Sequence, residues 1–380
     1  MTELAIDVTP LQSEHRWRGV GVYVRELVSW IEREAPLKPV YLASTVARDA
    51  LEGLVPPERT VYLYRPHRPA QVYWVYNEAF LRQGLRKTRP KVFFAPDFNG
   101  LVLNPHGKTV AALHDLSALK LARENGHRPF PPSLSEGLSA LRWRVYYRKL
   151  ARVDHIIARS ETVKADAMQL LGIPPEKLSV VCQGLNRALF TPSTGKGPYA
   201  THPPYFVHLG GRNANKNQAR ILEAFARIAL EFPEVHLYFA GPWNPSDLRW
   251  LEAERQRLGL ADRVRHLGYV RDEEVSSLYG NAVALVFPSL EEGYGLPVLE
   301  AMASGGPVIT SNRSSMPELA GEAAMLVDPL SVTEIARAMR ALLVDPALRE
   351  RYRQLGLRRA AAYSWQAFAE ETLRVLVGLL

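Results

Sequence analysis

The chain has 380 residues, one cysteine (Cys182), and 47 Lys plus Arg against 39 Asp plus Glu, a formal charge of +8. With 47% apolar and 23% charged residues, it has the composition of a folded globular protein of two or three domains, which excludes a disulfide framework, a cysteine-rich zinc module and a disordered chain. No apolar stretch approaches the 18 residues of a spanning helix, and MTELAIDVTP carries acids but no basic run, so neither a membrane span nor a signal peptide is read and a cytoplasmic location is expected.

In chain order, Leu4–Val8 is a short apolar run, followed by a loop through Gly19 and Gly21 and a helical pattern over Val22–Glu34. Val40–Ala43, Thr60–Tyr64, Val92–Ala95 and Thr109–His114 read as further buried strands. Ser133–Leu150 reads as a helix, with Leu134, Leu138, Leu141, Val145 and Leu150 near one face. His155–Ser160 and Leu178–Cys182 are strand-like. A Pro-, Gly-, Ser- and Thr-rich stretch (TPSTGKGPYATHPP) then marks a linker over 191–203. Beyond it the alternation restarts: strands at Tyr205–Leu209, His236–Phe239, Val264–His266, Val283–Phe287, Pro307–Thr310 and Ala324–Leu326, helices at Asn217–Phe232 and after Pro297, and mostly helix from Val332. Strands alternating with helices predict parallel sheets, in two doubly wound α/β domains. Ligands of such sheets sit at the carboxyl ends of the strands.

Several motifs fall at those ends. The longest is E-G-Y-G-L-P-V-L-E, from Glu292 to Glu300. A strand ends at Phe287, and a glycine turn leads into a helix with Pro297 in its first turn. The amides of Gly293, Tyr294, Gly295 and Leu296 suit an anion or sugar hydroxyls. Glu292 and Glu300, acceptors only when ionised, suit separate hydroxyls of one ligand. A structural loop with a helix-start glutamate would read the same way. The second motif is G-G-R-N-A-N-K, Gly210 to Lys216. Gly211 permits close backbone approach, and Arg212 and Lys216 place two cations beside a helix start, as a diphosphate requires; a basic surface turn is the alternative. The Walker pattern is absent. The third, R-G-V-G-V-Y-V-R from Arg18, lacks the last glycine of a dinucleotide fingerprint, because Val24 stands there. The fourth is His114, at the end of an apolar strand, where a core histidine would also sit.

No two aspartates stand two apart, so there is no D-x-D to hold a divalent ion on a diphosphate, and Arg, Lys and helix dipoles would neutralise it instead. No histidine cluster has metal-ligand spacing. The basic balance is compatible with nucleic acid, an anionic membrane, an anionic substrate or no charged partner.

These residues together resemble the retaining glycosyltransferases of family 4. E-G-Y-G-L-P-V-L-E-A-M-A-S-G-G-P-V is similar to that family's E-x7-E segment, G-G-R-N-A-N-K-N to its phosphate loop, R-G-V-G-V-Y-V-R-E-L to its N-terminal glycine loop, and L-H-D-L to the segment carrying its histidine. S-S-M-P-E-L-A-G-E-A-A-M-L-V-D-P fits as well, and the resemblance spans nearly the whole chain. It implies the GT-B fold: two Rossmann-like domains facing a cleft, with the last helix crossing back. The expected division is residues 1–190 plus about 363–380 for an acceptor-binding domain, and 204–362 for a donor-binding domain.

The resemblance implies that Lys216 and Arg212 bind the donor diphosphate, Glu300 the ribose hydroxyls, and Glu292 with the Gly293–Leu296 amides the donor sugar. It implies that His114 contacts the sugar, Gly19 and Gly21 approach the phosphates, and Tyr269 and Val270 border the base. Many members have five steps between Arg and Lys where this chain has four, and some carry Arg where it has Asn215. The implied reaction moves a hexose, with GDP-mannose preferred among GDP- and UDP-sugars, to a glycan, lipid-linked or small-molecule acceptor. It needs no metal and no cofactor. An epimerase or phosphorylase of the same fold, or a non-catalytic sugar-nucleotide binder, are the alternatives. Arg142, Arg144, Arg148, Lys149 and Arg152, interleaved with Trp143, Tyr146 and Tyr147, would suit peripheral contact with an anionic inner membrane face. A basic helix packed on its domain would look the same. Nucleic acid is not needed to explain the charge.

Overall fold

The computed structural model describes residues 2–13, 16, 19–64, 73–117, 119–120 and 134–380. They form two compact units, 1–184 with 365–380, and 185–364. Arg18 and Ser133, named in the sequence reading, lie outside the described residues, as do the side chains of Leu134 and Leu138.

Among the described residues the first unit is built on seven parallel strands: β1 (Leu4–Asp7), β2 (Val40–Ser44), β3 (Thr60–Leu63), β4 (Val92–Ala95), β5 (Lys108–Leu113), β6 (His155–Ala158) and β7 (Leu178–Val180). Their order is β3-β2-β1-β4-β5-β6-β7. The helices are α1 (Val20–Glu34), α2 (Tyr73–Thr88), α3 (Leu134–Leu150) and α4 (Glu161–Leu171). Every residue of β1 and β4 is buried. A parallel sheet covered on both faces requires this, which is why these strands read as continuous apolar runs. The chain order reverses between β1 and β4, the switch point of a doubly wound sheet.

The second unit repeats the plan with six parallel strands: β8 (Tyr205–Leu209), β9 (His236–Ala240), β10 (Val264–His266), β11 (Ala284–Phe287), β12 (Val308–Ser311) and β13 (Met325–Val327), in the order β10-β9-β8-β11-β12-β13. Its helices are α5 (Gln218–Ala229), α6 (Pro245–Arg257), α7 (Asp272–Gly280), α8 (Leu296–Ala303), α9 (Met316–Ala320), α10 (Val332–Val344) and α11 (Pro346–Ala360). The switch point here lies between β8 and β11.

The last helix, α12 (Trp365–Val377), belongs to the first unit. Phe368, Ala369, Leu373 and Leu376 enter the core beside Tyr23, Val24 and Leu27 of α1, and the Phe368 ring meets Tyr23 edge-on at 4.7 Å. Burying a Phe or Leu side chain contributes about 1.5–3 kcal/mol, so this apolar stripe suffices to seat the helix. The stretch 191–203, expected as a linker, lies in the second unit. Thr194 Oγ1 donates to Gly280 O (3.0 Å) and Gly195 N to Asn281 Oδ1 (2.7 Å), while Ser193 N donates to Ser304 O (3.1 Å). Pro and Gly there mark irregular backbone that side chains tie down.

Candidate functional site

The two motifs of the second unit follow β8 and β11, on either side of its switch point. After β8 the chain turns through Gly210, whose φ of +146° strains any other residue. Asn213 caps the short 3-10 turn Ala214–Lys216 by accepting from Lys216 N (3.1 Å). Asn217, at φ +61°, donates to Pro288 O (2.9 Å) and Pro329 O (2.7 Å), which moors the loop to the one after β11. Leu290 N donates to Asn215 O (2.8 Å).

After β11, Gly295 at φ +101° caps α8, which has Pro in its first turn. The loop is pinned by serines: Glu292 N donates to Ser314 Oγ (3.0 Å), and Ser315 Oγ donates to Glu292 O (2.7 Å). This mooring brings Lys216 Nζ to 2.5 Å from Glu292 Oε2, both side chains about four-fifths buried, with the ammonium 4.5 Å from the centre of the Phe287 ring. Lys216 and Glu292 therefore meet as one site. Arg212 turns elsewhere. Its guanidinium donates to Asp247 Oδ1 (3.2 Å) and stacks 4.1 Å from the Trp250 ring centre, both on α6.

Glu300 is half-buried on α8, and Tyr279 Oη donates to its Oε2 at 3.4 Å. Burial pushes its carboxyl up to about 7, and nearby Asp272 adds to the rise while the Tyr279 hydrogen bond opposes it. A carboxyl with that affinity for a proton has unmet need for donors, as ligand hydroxyls would supply. Tyr294 is buried in the core and Leu296 packs against it. Val270 is buried as well, whereas Tyr269 is 68% exposed, its hydroxyl 3.3 Å from Asp272 Oδ1.

In the first unit, Gly19 caps α1 at φ +41° and Gly21 is buried in that helix's first turn. His114 follows β5 directly. Its Nε2 donates to Pro96 O at 2.6 Å, the residue after β4, so the ring lies beside the switch point. The acceptor fixes the tautomer, leaving Nδ1 as the lone-pair nitrogen, and among the described residues Nδ1 has no hydrogen-bond partner. Burial, reinforced by the Arg159 cation, keeps His114 neutral well below the usual imidazole range. Tyr23 meets its ring edge-on at 5.4 Å.

Two family models match the chain: one described as glycosyltransferase family 4 over residues 17–189, and one described as glycosyl transferases group 1 over residues 194–359. Together they omit only 1–16, 190–193 and 360–380.

The chain belongs to family 4 of the glycosyltransferases.

Relatives of this family-4 chain include O-antigen chain mannosyltransferase B of Escherichia coli, 36% identical over 44% of this chain and 44% of the relative. Another is the MMP alpha-(1->4)-mannosyltransferase of Mycolicibacterium hassiacum, 30% identical over 66% of this chain and 63% of the relative. The matched stretches thus span less than two thirds of either relative. Among solved structures, sucrose-phosphate synthase from Thermosynechococcus elongatus aligns with TM-score 0.81 at 20% identity over 100% and 99% of the two chains. WaaG, a glycosyltransferase involved in lipopolysaccharide biosynthesis, aligns with TM-score 0.73 at 16% identity over 99% and 100%. At such identities these two likenesses are of fold.

The residues that hold the motifs in place in this family-4 chain are not marked by motifs of their own. Ser314 and Ser315 carry the Glu292 loop, and Asp247 and Trp250 carry Arg212. None shows a spacing that would single it out before the fold is known. Ser314 and Ser315 open the S-S-M-P-E segment, which marks them only by its resemblance to the family. Packing and pairing account for the aromatic residues of the basic stretch and for two of its five cations, Arg142 and Lys149. Trp143 stacks on Phe98 at 5.1 Å and on Tyr147 at 5.7 Å. Arg142 bonds to Asn99 and Lys149 pairs with Glu78. Leu141, expected on the apolar face, is 48% exposed. Arg144, Arg148 and Arg152 are exposed. Among the described residues no helix is long and apolar enough to cross a membrane.

Proposed function

We propose that the protein is a retaining hexosyltransferase whose second unit binds a nucleotide diphosphate sugar without a metal ion. The observation that carries this is the meeting of Lys216 with Glu292 at the switch point of the second sheet. Lys216 neutralises the diphosphate and stabilises it as it leaves. Glu292 accepts from hydroxyls of the donor sugar, and Glu300 from those of the ribose. In the first unit, the proposed role of His114 is to offer the acceptor lone pair on Nδ1 to a sugar hydroxyl, and that of the Gly19–Gly21 turn is to approach a phosphate. No nucleophile–base pair is required in this scheme. A departing phosphate oxygen on the face of attack takes the acceptor proton, and the enzyme supplies position and charge.

The mannosyltransferase names of the two relatives favour mannose as the hexose, with a glycan, lipid-linked or small-molecule acceptor. Incubation with GDP-mannose, and with UDP-glucose for comparison, tests the reading when products are followed by NMR. Release of nucleoside diphosphate with formation of an α-glycoside from an α-linked donor supports it. An inverted anomer, or an epimerised sugar with the nucleotide still attached, contradicts it.

A further inference from the structure

The turn Gly210–Arg212 carries a detail that the charges alone do not explain. Two successive carbonyls of the turn are engaged by side-chain donors of the same unit. Trp243 Nε1 donates to Gly210 O at 2.9 Å, and Gln218 Nε2 donates to Gly211 O at 3.1 Å. In a trans peptide the C=O and N–H point in opposite directions. Fixing these two carbonyls therefore fixes the N–H groups of Gly211 and Arg212 the opposite way, and among the described residues neither N–H has a hydrogen-bond partner. The Lys216 stem passes the same turn, its Cε 3.8 Å from where a Cβ on Gly210 would stand.

Peptides beside glycine flip easily, because a residue without Cβ tolerates the backbone angles the flip requires. A flipped turn would show carbonyl oxygens instead of amide hydrogens and would repel an anion. The orientation of Gln218 is itself determined. His208 is buried, and burial pushes its pKa down to about 4, so the ring is neutral at physiological pH. Its Nδ1 donates to Val286 O (2.9 Å), which leaves Nε2 as an acceptor 3.4 Å from Gln218 Nε2. Both groups facing the Gln218 amide are acceptors, so the NH2 must face them.

We infer that Trp243 and Gln218 are positioning residues that clamp the glycine turn with its amides outward, forming an anion nest for the donor's diphosphate. This rests on the donor-site reading above. Neither residue touches the ligand; each acts through a peptide plane.

The test is calorimetric titration of the full chain with UDP and GDP, and with uridine and guanosine, on Trp243→Phe and Gln218→Met. Phe keeps the ring packing of Trp243 against Phe239 and His266 but has no N–H; Met keeps the bulk of Gln218 but has no amide. Each variant is expected to bind the better diphosphate about ten-fold more weakly, the scale of a hydrogen bond to a charged group, with nucleoside binding unchanged. Diphosphate binding as tight as wild type in both variants would overturn the inference, as would equal loss of diphosphate and nucleoside. If the wild type binds neither diphosphate, the donor-site reading itself falls, and this inference with it.

Discussion

Lys216 Nζ lies 2.5 Å from Glu292 Oε2, joining the loop after β8 to the loop after β11 across the switch point of the second sheet. In the proposed reaction each partner has its own task on the donor, and the pair holds both side chains in place until the donor arrives. A side chain already ordered loses less entropy on binding.

In the proposed reaction Lys216→Ala removes the cation that stabilises the leaving group. Turnover at saturating donor is expected to fall by about 100-fold or more, the scale of losing one preorganised donor to developing charge. Steady-state kinetics with purified variant checks this, and near-normal turnover would refute the role of Lys216.

Glu300 carries a pH prediction. Its carboxyl titrates near 7 when folded, against an unfolded value of 4.5. The folded state holds the proton more tightly, so Glu300's contribution to stability is present below pH 4.5 and is lost as pH rises to 7. In the proposed donor site the ribose hydroxyls need the ionised form, so nucleotide affinity is expected to rise through the same region. Titration of nucleoside diphosphate from pH 5.5 to 8 should show that rise in wild type and a flatter profile in Glu300→Gln.

Buried strands and the strongly patterned helices are the legible parts of the fold. β4, β8 and β10 match their read bounds; β4 and all of β8 but His208 are apolar, as a strand covered on both faces requires. Helices α2, α4, α6 and α7 were not read, since their partly exposed faces mix charge with apolar residues. At the site, glycines and charged residues at strand ends were visible as chemistry. The supporting contacts were not. Trp243 and Gln218 reach Gly210 and Gly211 from separate elements, and only the packing of α5 and the β9–α6 connection against the sheet puts them there.

Gly295→Ala should lower stability without altering the charges of the site. Its φ of +101° is strained for alanine, and the new Cβ would stand 2.3 Å from Cε of buried Met316. A loss of about 1–3 kcal/mol is expected, measured by urea denaturation. An unchanged midpoint would show that the turn relaxes freely.

His114 should not set any pH dependence near neutrality, because burial and Arg159 keep it neutral well below the usual range. An NMR titration should show no protonation of this ring between pH 6 and 8. His114→Ala should nonetheless reduce turnover, by removing the Nδ1 acceptor.

The most direct measurement is the melting temperature of wild type and Lys216→Ala in EDTA, each with and without saturating nucleotide diphosphate sugar. A ligand at 100 times its Kd stabilises by about 2.7 kcal/mol. The account predicts a clear rise for wild type with one such donor and a much smaller rise for Lys216→Ala. No rise in wild type with any GDP- or UDP-sugar, or an equal rise in both proteins, would contradict it.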